Sequence, residues 1–226
     1  MSLERTELLF GAENMQRLKR AKVVVVGLGG VGGHAAESLA RSGIGRLHLI
    51  DADIVERSNL NRQLFACKSA IGRDKVLAAK ERLEEASDCI ITVEKAFLTA
   101  ENVERLIPPD TSFAIDAIDS LFSKVALIKC LKERQVPFIS CLGAGNRLDP
   151  SAFTVTDLFK TEGCPLARKL RSELRKLDVC DVPVVFSREK PKRTGAIGSF
   201  APVTAACGLL AAAYVCTQLS IWEEGL

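Results

Sequence analysis

The sequence predicts an α/β protein with a mostly parallel β-sheet that is covered by helices on both faces. Short apolar runs alternate with helical segments along residues 13–141, an order that is typical of parallel sheets. In the stretch VVVVGLGGVGG, residues 23–33, a glycine-rich turn joins a strand to a helix. Together these patterns predict a Rossmann-like fold with a C-terminal extension that ends in an apolar helix.

The first part of the chain supplies five predicted strands. Residues Val23–Val26 are apolar and β-branched throughout, as expected of a strand that is buried on both faces. The other strands are predicted at Leu47–Ile50, Cys89–Val93, Phe113–Ile118 and Phe138–Cys141. Helices are predicted at residues 13–20, Val31–Arg41, Asp74–Ala86, 101–106 and 120–134, and Gly43 ends the second of them.

The pattern changes after Gly143. The segment GAGNRLDP, residues 143–150, is predicted as a loop. A basic helix at 165–177, a short strand at Pro183–Phe186, the polar turn REKPKRTGAIG at 188–198 and an apolar helix at 201–222 follow it. We expect one domain over residues 1–226, with a nucleotide-binding core at 1–142 and a C-terminal part at 143–226.

The composition favours a soluble protein of the cytoplasm. Of the 226 residues, 47% are apolar and 26% are charged, and a net charge of +3 restricts any nucleic-acid surface to a local patch. Residues 1–20 lack the apolar region of a secretory signal. The eight cysteines show no C-x-x-C spacing, which favours reduced thiols over a zinc site or a redox pair.

The uncharged segment 201–222 is long enough to span a bilayer. Small residues dominate it, and Thr204, Thr217 and Gln218 interrupt it. We therefore expect no membrane span, and favour a helix buried in the core or in a subunit interface.

The glycine turn predicts a nucleotide site. Gly27 permits a tight turn, Gly29 allows the backbone to approach a phosphate, and Gly32 allows the helix to pack on the strand. Phosphates then lie at the N-terminus of a helix, where free N–H groups favour negative charge. Asp51 ends the next strand and is placed to accept the ribose hydroxyl groups. The turn alone does not identify the nucleotide.

The residues after Asp51 favour a triphosphate over a nicotinamide coenzyme. Arg62 and Lys75 follow the ribose acid, and such cations neutralise phosphate charge, whereas a nicotinamide pocket is neutral and flat. Asp116 and Asp119 lie at the end of the fourth strand, where a carboxylate is able to hold Mg²⁺ against phosphates. The alternatives are surface cations at 62 and 75 and a helix cap at Asp119 or Ser120.

These motifs resemble a known superfamily. GLGGVG, DADIVERSNLNRQ, GRDK and DAIDS, which lie within residues 5–120, resemble the adenylating domain of the ubiquitin-activating, ThiF and MoeB superfamily. RTELLFG, GAGNRLDP, CPLARKLRSELRK, VVFSREKP and GSFAPVTAACGLLAAAYV resemble the tRNA threonylcarbamoyladenosine dehydratase group. The second resemblance runs nearly from end to end.

The resemblance implies a role for each site residue. Asp51 would hold the ribose, and Gly29 and Gly30 would line the phosphate turn. Asn59, Arg62 and Lys75 would contact the triphosphate of ATP, and Asp53 belongs to the same nucleotide-binding set. Asp119 would bind Mg²⁺. Arg5 resembles an arginine that reaches the partner subunit's ATP in homodimers, although nothing else in the sequence distinguishes it from a solvated terminal charge.

The implied reaction is activation of a carboxylate followed by ring closure. The threonylcarbamoyl carboxylate on adenosine 37 of a tRNA attacks the α-phosphate of ATP, and a nitrogen or oxygen of the same side chain then displaces AMP. The substrate supplies both reacting groups, so the enzyme positions them and neutralises charge. This agrees with the presence of only two histidines, His34 and His48, for which we predict structural roles.

The resemblance also bears on partners. The basic residues of 168–193 suit contacts to the backbone of a modified tRNA, although a solvated helix face is the simpler interpretation without the resemblance. The stretch RTGAIGSF holds no cysteine, so the pattern does not support a sulfur-transfer partner; Cys207 is predicted to be core, and Cys164 and Cys180 to be unreactive.

Three competing functions remain. A sulfur-carrier-activating enzyme would adenylate the C-terminal glycine of a ubiquitin-like protein, but the zinc site or added domain common in such relatives is not visible. A nicotinamide oxidoreductase is disfavoured by Arg62 and Lys75. A non-catalytic nucleotide-binding protein is disfavoured by the full set of site residues.

Overall fold

A computed structural model describes residues 1–221 of the chain. The strands are β1 (Lys22–Val26), β2 (Arg46–Ile50), β3 (Ile90–Glu94), β4 (Phe113–Asp116), β5 (Phe138–Cys141), β6 (Phe153–Asp157) and β7 (Pro183–Ser187). The helices are α1 (Glu4–Phe10), α2 (Ala12–Arg20), α3 (Gly32–Arg41), α4 (Lys75–Ala86), α5 (Val103–Leu106), α6 (Leu121–Glu133), α7 (Pro165–Arg175) and α8 (Ala201–Ile221).

The seven strands form one sheet in the order β3-β2-β1-β4-β5-β7-β6. All neighbouring pairs are parallel except β6 and β7, which are antiparallel. The chain leaves β1 towards β2 on one side and later returns to place β4 on the other. This reversal beside β1 opens a crevice at the carboxyl ends of β1 and β4, where open α/β sheets bind their ligands.

Helices cover both faces of the sheet, as the sequence predicted. Val23 and Val25 of β1 pack into one buried cluster, whereas Val24 and Val26 pack into a second cluster on the opposite face. The first cluster includes residues of α2, α3, α4 and α8, and the second includes residues of α5, α6 and α7. A strand buried on both faces needs apolar side chains at every position, which explains the unbroken valine run.

Two elements escaped the sequence prediction. The short helix α1 precedes the predicted first helix, and its seven residues include no buried side chain, so no apolar face marks it. Strand β6 lies in a stretch for which the sequence predicts no element. All five of its residues are half-buried, and its FTVTD sequence has too short an alternation to stand out. The predicted fourth strand ends at Asp116 and not at Ile118, because the Asp116 carboxylate accepts a hydrogen bond from the Ile118 amide and turns the chain.

The apolar helix α8 packs against α2, α3 and the strands β5, β6 and β7. A Cβ on Gly208 would lie 2.2 Å from the Val31 carbonyl oxygen, so this glycine allows α8 to approach the start of α3. By length and hydropathy Ala201–Ser220 is apolar enough to cross a membrane, but 56% of its most apolar window is buried inside the protein. The predicted last position of the helix, Trp222, lies outside the described residues.

Candidate nucleotide-binding site

A cleft of about 800 Å³ opens at the carboxyl edge of the sheet. This volume lies within the range of small-molecule sites, roughly 300–1,000 Å³. Nine of the eleven predicted site residues line the cleft: Gly27, Gly29, Gly30, Asp51, Asp53, Asn59, Arg62, Lys75 and Asp119. Residues distant in sequence, among them Gly145, Ile197 and Thr204, complete its lining. The structure therefore brings most of the predicted set together in one place.

Gly27, Gly32 and Gly29 have different roles in the geometry of the turn. Gly27 has φ 90°, and a Cβ there would lie 2.7 Å from the Ala117 carbonyl oxygen. A Cβ on Gly32 would lie 1.8 Å from the carbonyl oxygen of Gly27, so Gly32 closes the turn without lining the cleft. At Gly29 the nearest atom to such a Cβ would be Gln63 Nε2, 3.9 Å away. The backbone at Gly29 thus faces open space, as a phosphate-binding turn requires.

The Asp51 carboxylate is held by the glycine turn. Its Oδ2 accepts a hydrogen bond from the Leu28 amide at 2.6 Å, and its Oδ1 accepts one from the Asp53 amide at 2.8 Å. Burial raises the pKa of Asp51, although these two amide groups act in the opposite direction. Each oxygen keeps a lone pair, so the carboxylate remains able to accept a hydrogen bond from a hydroxyl group in the cleft.

Lys75 reaches the cleft from the first residue of α4. Its side chain is only 7% exposed, and its Nζ lies 2.7 Å from Oδ2 of Asp53, whose side chain is 68% exposed. A buried lysine needs a partner for its charge. Asp53 therefore acts as the counterion of Lys75 in this structure and fixes the ammonium group at the cleft wall.

Arg62 and Asn59 belong to a short looped segment between β2 and α4. Arg62 is half-buried, and its Nη1 donates to the Ser58 carbonyl oxygen at 2.8 Å and to Asn61 Oδ1 at 3.0 Å. No carboxylate pairs with this guanidinium in the described part of the chain. Asn59 is buried and accepts a hydrogen bond from the Glu56 amide at 3.0 Å. Asn59 thus shapes the loop that presents Arg62.

Asp119 and Asp116 occupy different environments. Asp119 is exposed at the cleft, and within residues 1–221 no hydrogen-bond donor holds its carboxylate. Asp116 is fully buried and does not line the cleft. Asp119 therefore stays a predicted magnesium ligand, whereas Asp116 is not available to a metal, because its carboxylate is occupied inside the protein.

The group that occupies Asp116 was not predicted from the sequence. Lys124 of α6 is fully buried, and its Nζ lies 2.7 Å from Asp116 Oδ2. Lys124 also donates to Ser140 Oγ at 3.1 Å and to the Cys141 carbonyl oxygen at 3.0 Å, and Ser140 donates to Asp116 at 2.7 Å. This network joins the ends of β4 and β5 to the start of α6. It therefore fixes the loop that carries Asp119.

Arg5 lies outside the cleft. It is exposed on α1 and does not line the site within one chain. The contact between Arg5 and the nucleotide of a partner subunit therefore stays a prediction.

The structure divides the basic stretch of residues 168–193. Arg171 is half-buried and donates to the carbonyl oxygens of Leu158 and Thr161, so it has a structural role. Lys176 pairs with Glu173 at 2.8 Å. The exposed basic side chains of this stretch that form no ion pair in the described structure are Arg168, Lys169, Arg175, Arg188, Lys190, Lys192 and Arg193.

The two histidines make local contacts. His34 Nδ1 lies 2.8 Å from the Gly30 carbonyl oxygen, and His48 Nδ1 lies 2.9 Å from Thr92 Oγ1. Cys207 and Cys164 are buried, whereas Cys180 is exposed, so burial does not account for the predicted lack of reactivity at Cys180. The hydrogen bond between the Cys180 thiol and the Asp181 carboxylate raises the pKa of Cys180, and the negative charge of Asp181 raises it further. This shift disfavours the reactive thiolate.

The cleft thus combines a helix N-terminus, two cations, a carboxylate that is held by the glycine turn and an exposed carboxylate without a hydrogen-bond donor in the described structure. Residues 3–225 match the family described as the ThiF family. The chain belongs to the ThiF family. This membership confirms the superfamily predicted from the glycine turn and the segments after it.

The ThiF-family chain is similar to tRNA-modifying enzymes over most of its length. It is 43% identical over 190 residues to the tRNA threonylcarbamoyladenosine dehydratase of Bacillus subtilis (strain 168), an alignment that covers 83% of this chain and 74% of that protein. It superimposes with a TM-score of 0.92 on the E. coli tRNA N6-threonylcarbamoyladenosine dehydratase, TcdA, solved in complex with ATP. That match has 37% identity and covers 96% of this chain and 93% of the other.

The similarity to carrier-activating members of the ThiF family is shorter. The sulfur carrier protein ThiS adenylyltransferase of Bacillus subtilis (strain 168) is 33% identical over 139 residues, which is 59% of this chain and 41% of that protein. The dehydratase alignment therefore extends over a larger share of both chains. The match to TcdA also confirms the predicted sheet with helices on both faces.

Proposed function

We propose that this chain is an ATP-dependent tRNA threonylcarbamoyladenosine dehydratase. The main observation is that Asp51, Arg62, Lys75 and Asp119 converge on one cleft around a glycine turn. This set suits a triphosphate that is attacked at phosphorus. The similarity to dehydratases along most of the chain favours the threonylcarbamoyl group as the attacking carboxylate.

The proposed reaction has two steps. A carboxylate oxygen of the substrate bonds to the α-phosphorus of ATP, the bond to the bridging oxygen breaks, and pyrophosphate leaves. A nitrogen or oxygen of the same side chain then bonds to the activated carbonyl carbon, loses its proton, and AMP departs with the former carboxylate oxygen. ATP thus becomes AMP and pyrophosphate, and the substrate loses the elements of water as it closes into a ring.

Each side chain has a task in this scheme. Asp51, oriented by the Leu28 amide, accepts the ribose hydroxyl groups. Lys75 and Arg62 stabilise negative charge on the phosphates, and the amide groups near Gly29 and Gly30 add to this at the N-terminus of α3. No protein nucleophile is needed, because both reacting groups belong to the substrate. The substrate is brought into position within one cleft, which lowers the entropic barrier.

The cleft fits a magnesium ion that is held mainly by the nucleotide. Mg²⁺ usually takes one or two protein carboxylates and completes its shell with phosphates and water. Asp119 supplies one free carboxylate at the cleft, and the described residues contain no cluster of three acidic, histidine or cysteine side chains. Asp119 would hold the ion, which would neutralise phosphate charge. Such an ion would be shared between Asp119 and the nucleotide.

The proposal includes a homodimer in the cytoplasm. Arg5 is exposed and does not line the cleft of its own chain, so it is available to a second copy of the chain. The eight cysteines are unpaired, which agrees with a reducing compartment. Modified tRNA is the partner that the reaction requires.

The deciding experiment combines the protein, ATP, Mg²⁺ and tRNA that carries threonylcarbamoyladenosine. We expect mass spectrometry of the digested nucleosides to show the loss of one water, with AMP and pyrophosphate released in equal amounts. Unmodified tRNA is the control and should release neither. If a ubiquitin-like carrier drives pyrophosphate exchange while the modified tRNA stays unchanged, the chain is a carrier-activating enzyme and the proposal is wrong.

A further inference from the structure

Phe122 is an exposed aromatic residue at the edge of the cleft. It lies on the first turn of α6, and 81% of its surface is exposed. Its neighbours Asp119 and Ser123 both line the cleft. Further along α6 the apolar side chains of Leu127 and Leu131 are fully buried. The exposure of Phe122 is therefore a local property of the helix end that faces the cleft.

Helix α7 begins at the same end of the molecule. Its N-terminal neighbour Gly163 lies against Lys190, because a Cβ on this glycine would be 3.5 Å from Lys190 Cγ. Lys190 follows the carboxyl end of β7, which is the cleft edge of this parallel strand. The start of α7 thus lies on the cleft side, as does the start of α6, against which α7 packs.

The far end of α7 lies away from the cleft. The Arg175 guanidinium sits 5.6 Å from the centre of the Phe159 ring. Phe159 comes two residues after Asp157, which pairs with Pro183 at the amino end of β7. An 11-residue helix spans roughly 16 Å. The basic residues of α7 therefore divide into a cleft group and a distant group.

Four exposed cations belong to the cleft end: Arg168, Lys169, Arg188 and Lys190. We name them the cleft-end cations. None of them forms an ion pair within residues 1–221. An exposed aromatic ring and unpaired cations at the same edge of the sheet are a combination that suits unpaired RNA, because phosphates attract the cations and bases stack on the ring. A second copy of the chain that docked through this same surface would bring like charges face to face.

We propose that Phe122 is a stacking platform for an unpaired base of the RNA substrate, while the cleft-end cations contact the flanking phosphates. This inference rests on the proposed function and specifies how its RNA is held. A base that stacks on Phe122 would anchor the loop next to Asp119 and direct the adjoining modified nucleotide into the cleft. Phe122 is in this scheme a residue for substrate binding and positioning, and it takes no part in the chemical steps.

The first test replaces Phe122 and measures turnover of threonylcarbamoylated tRNA. For Phe122→Ala we expect KM for the tRNA to rise about tenfold, with kcat and KM for ATP close to wild type, since stacking on one aromatic side chain is worth this much. Phe122→Trp should restore tight binding. Ile90→Ala is the matched control, because Ile90 is 63% exposed at the amino end of β3 and should leave KM unchanged.

A second readout detects the stack directly. An anticodon stem-loop RNA with the fluorescent base 2-aminopurine beside the modified adenosine should lose fluorescence on binding the wild-type protein. Phe122→Ala should abolish this quenching at saturating protein, whereas Ile90→Ala should retain it. Normal quenching with Phe122→Ala would overturn the proposal, as would an unchanged KM for the tRNA.

The cations are tested in pairs on the same helix. Arg168→Gln with Lys169→Gln should raise KM for the tRNA and reduce its dependence on salt. The same changes at Arg175 and Lys176, at the distant end, should do neither. If both double variants change KM for the tRNA and its salt dependence equally, the assignment of RNA binding to the cleft end of α7 is wrong.

Two further outcomes separate this inference from its alternatives. If Phe122→Ala alters the molecular mass in solution, the ring belongs to an interface between copies, and the proposal is wrong. If the wild-type protein leaves threonylcarbamoylated tRNA unchanged, the proposed function itself fails. If the wild-type protein converts the tRNA and Phe122→Ala converts it equally well, only the stacking platform is rejected and the proposed function stands.

Discussion

The ammonium group of Lys75 lies 2.7 Å from the carboxylate of Asp53 at the wall of the nucleotide cleft. The lysine side chain is almost fully buried and the aspartate is exposed, so the pair has one fixed and one solvated member. Incoming phosphate oxygens would meet an ammonium group that is already oriented. Preorganised charge of this kind stabilises a transition state without further rearrangement.

We expect Lys75→Gln to lower kcat/KM for ATP by roughly 100-fold or more, as loss of a preorganised donor does in other enzymes. Initial rates of AMP formation measure this effect. Lys80→Gln on the same helix is the control, since Lys80 pairs with Glu84 at 3.6 Å on the exposed side of α4. Comparable losses in both variants would show that Lys75 acts only through helix stability.

The loss of ATP affinity at low pH should depend on the protonation of Asp51. Burial raises the pKa of this carboxyl above its usual 3.8, so Asp51 takes up its proton at a higher pH than an exposed aspartate would. In the ionised form both oxygens act purely as acceptors, whereas protonation turns one of them into a donor. We therefore expect ATP affinity to fall as the pH drops through the raised pKa of Asp51.

Calorimetric titrations with ATP at several pH values measure this fall. Asp51→Asn should bind ATP more weakly at neutral pH and show less acid weakening. The pH dependence of ATP affinity that remains in Asp51→Asn reports the titration of ATP itself, which is the same for the variant and for wild type. Identical profiles for the two proteins would exclude Asp51 as the titrating group.

The buried pair of Asp116 and Lys124 should govern stability. Both side chains are fully buried and 2.7 Å apart. Removal of one partner leaves a buried charge without compensation, which typically costs about 3–5 kcal/mol. We expect Asp116→Leu and Lys124→Met to lower the free energy of unfolding by this amount each, and the double variant to lose far less than the sum. Urea unfolding measures all three, and strictly additive losses would contradict the coupling.

The sequence predicted those parts of the site that are contiguous along the chain. The turn at Gly27–Gly32 and the acid at the end of the next strand are short-range patterns, and they recur in the structure where expected. The Lys124 network was missed because its members come from β4, α6 and β5, and only the fold brings them together. In the sequence Lys124 resembles any solvated helix lysine.

The same reasoning explains two other differences. Phe122 occupies an apolar position of a predicted helix, and periodicity cannot show that this turn projects beyond the core. The basic stretch looked uniform along the chain, but the direction of α7 separates its two ends. Both features depend on how a helix is oriented relative to the sheet, which a local pattern does not encode.

Arg5 and Asp119 allow a test of whether two subunits share one site. Arg5→Ala and Asp119→Asn should each lose activity and keep their fold, because neither side chain is buried. If Arg5 completes the partner's site, a mixed dimer holds one site with both defects and one site with none. Random exchange of the two variants in equal amounts should therefore recover about one quarter of wild-type activity, as two-fold symmetry requires.

The recovery is measured as AMP release after the two inactive variants have been unfolded and refolded together. A mixture of Arg5→Ala with the double variant Arg5→Ala and Asp119→Asn is the control, because no subunit then supplies an intact arginine, and it should stay inactive. If Arg5→Ala alone retains full activity, or if the first mixture stays inactive although mixed dimers form, then Arg5 serves no neighbouring site. Complementation would place Arg5 at the partner's ATP, although no residue of α1 lines the cleft of its own chain.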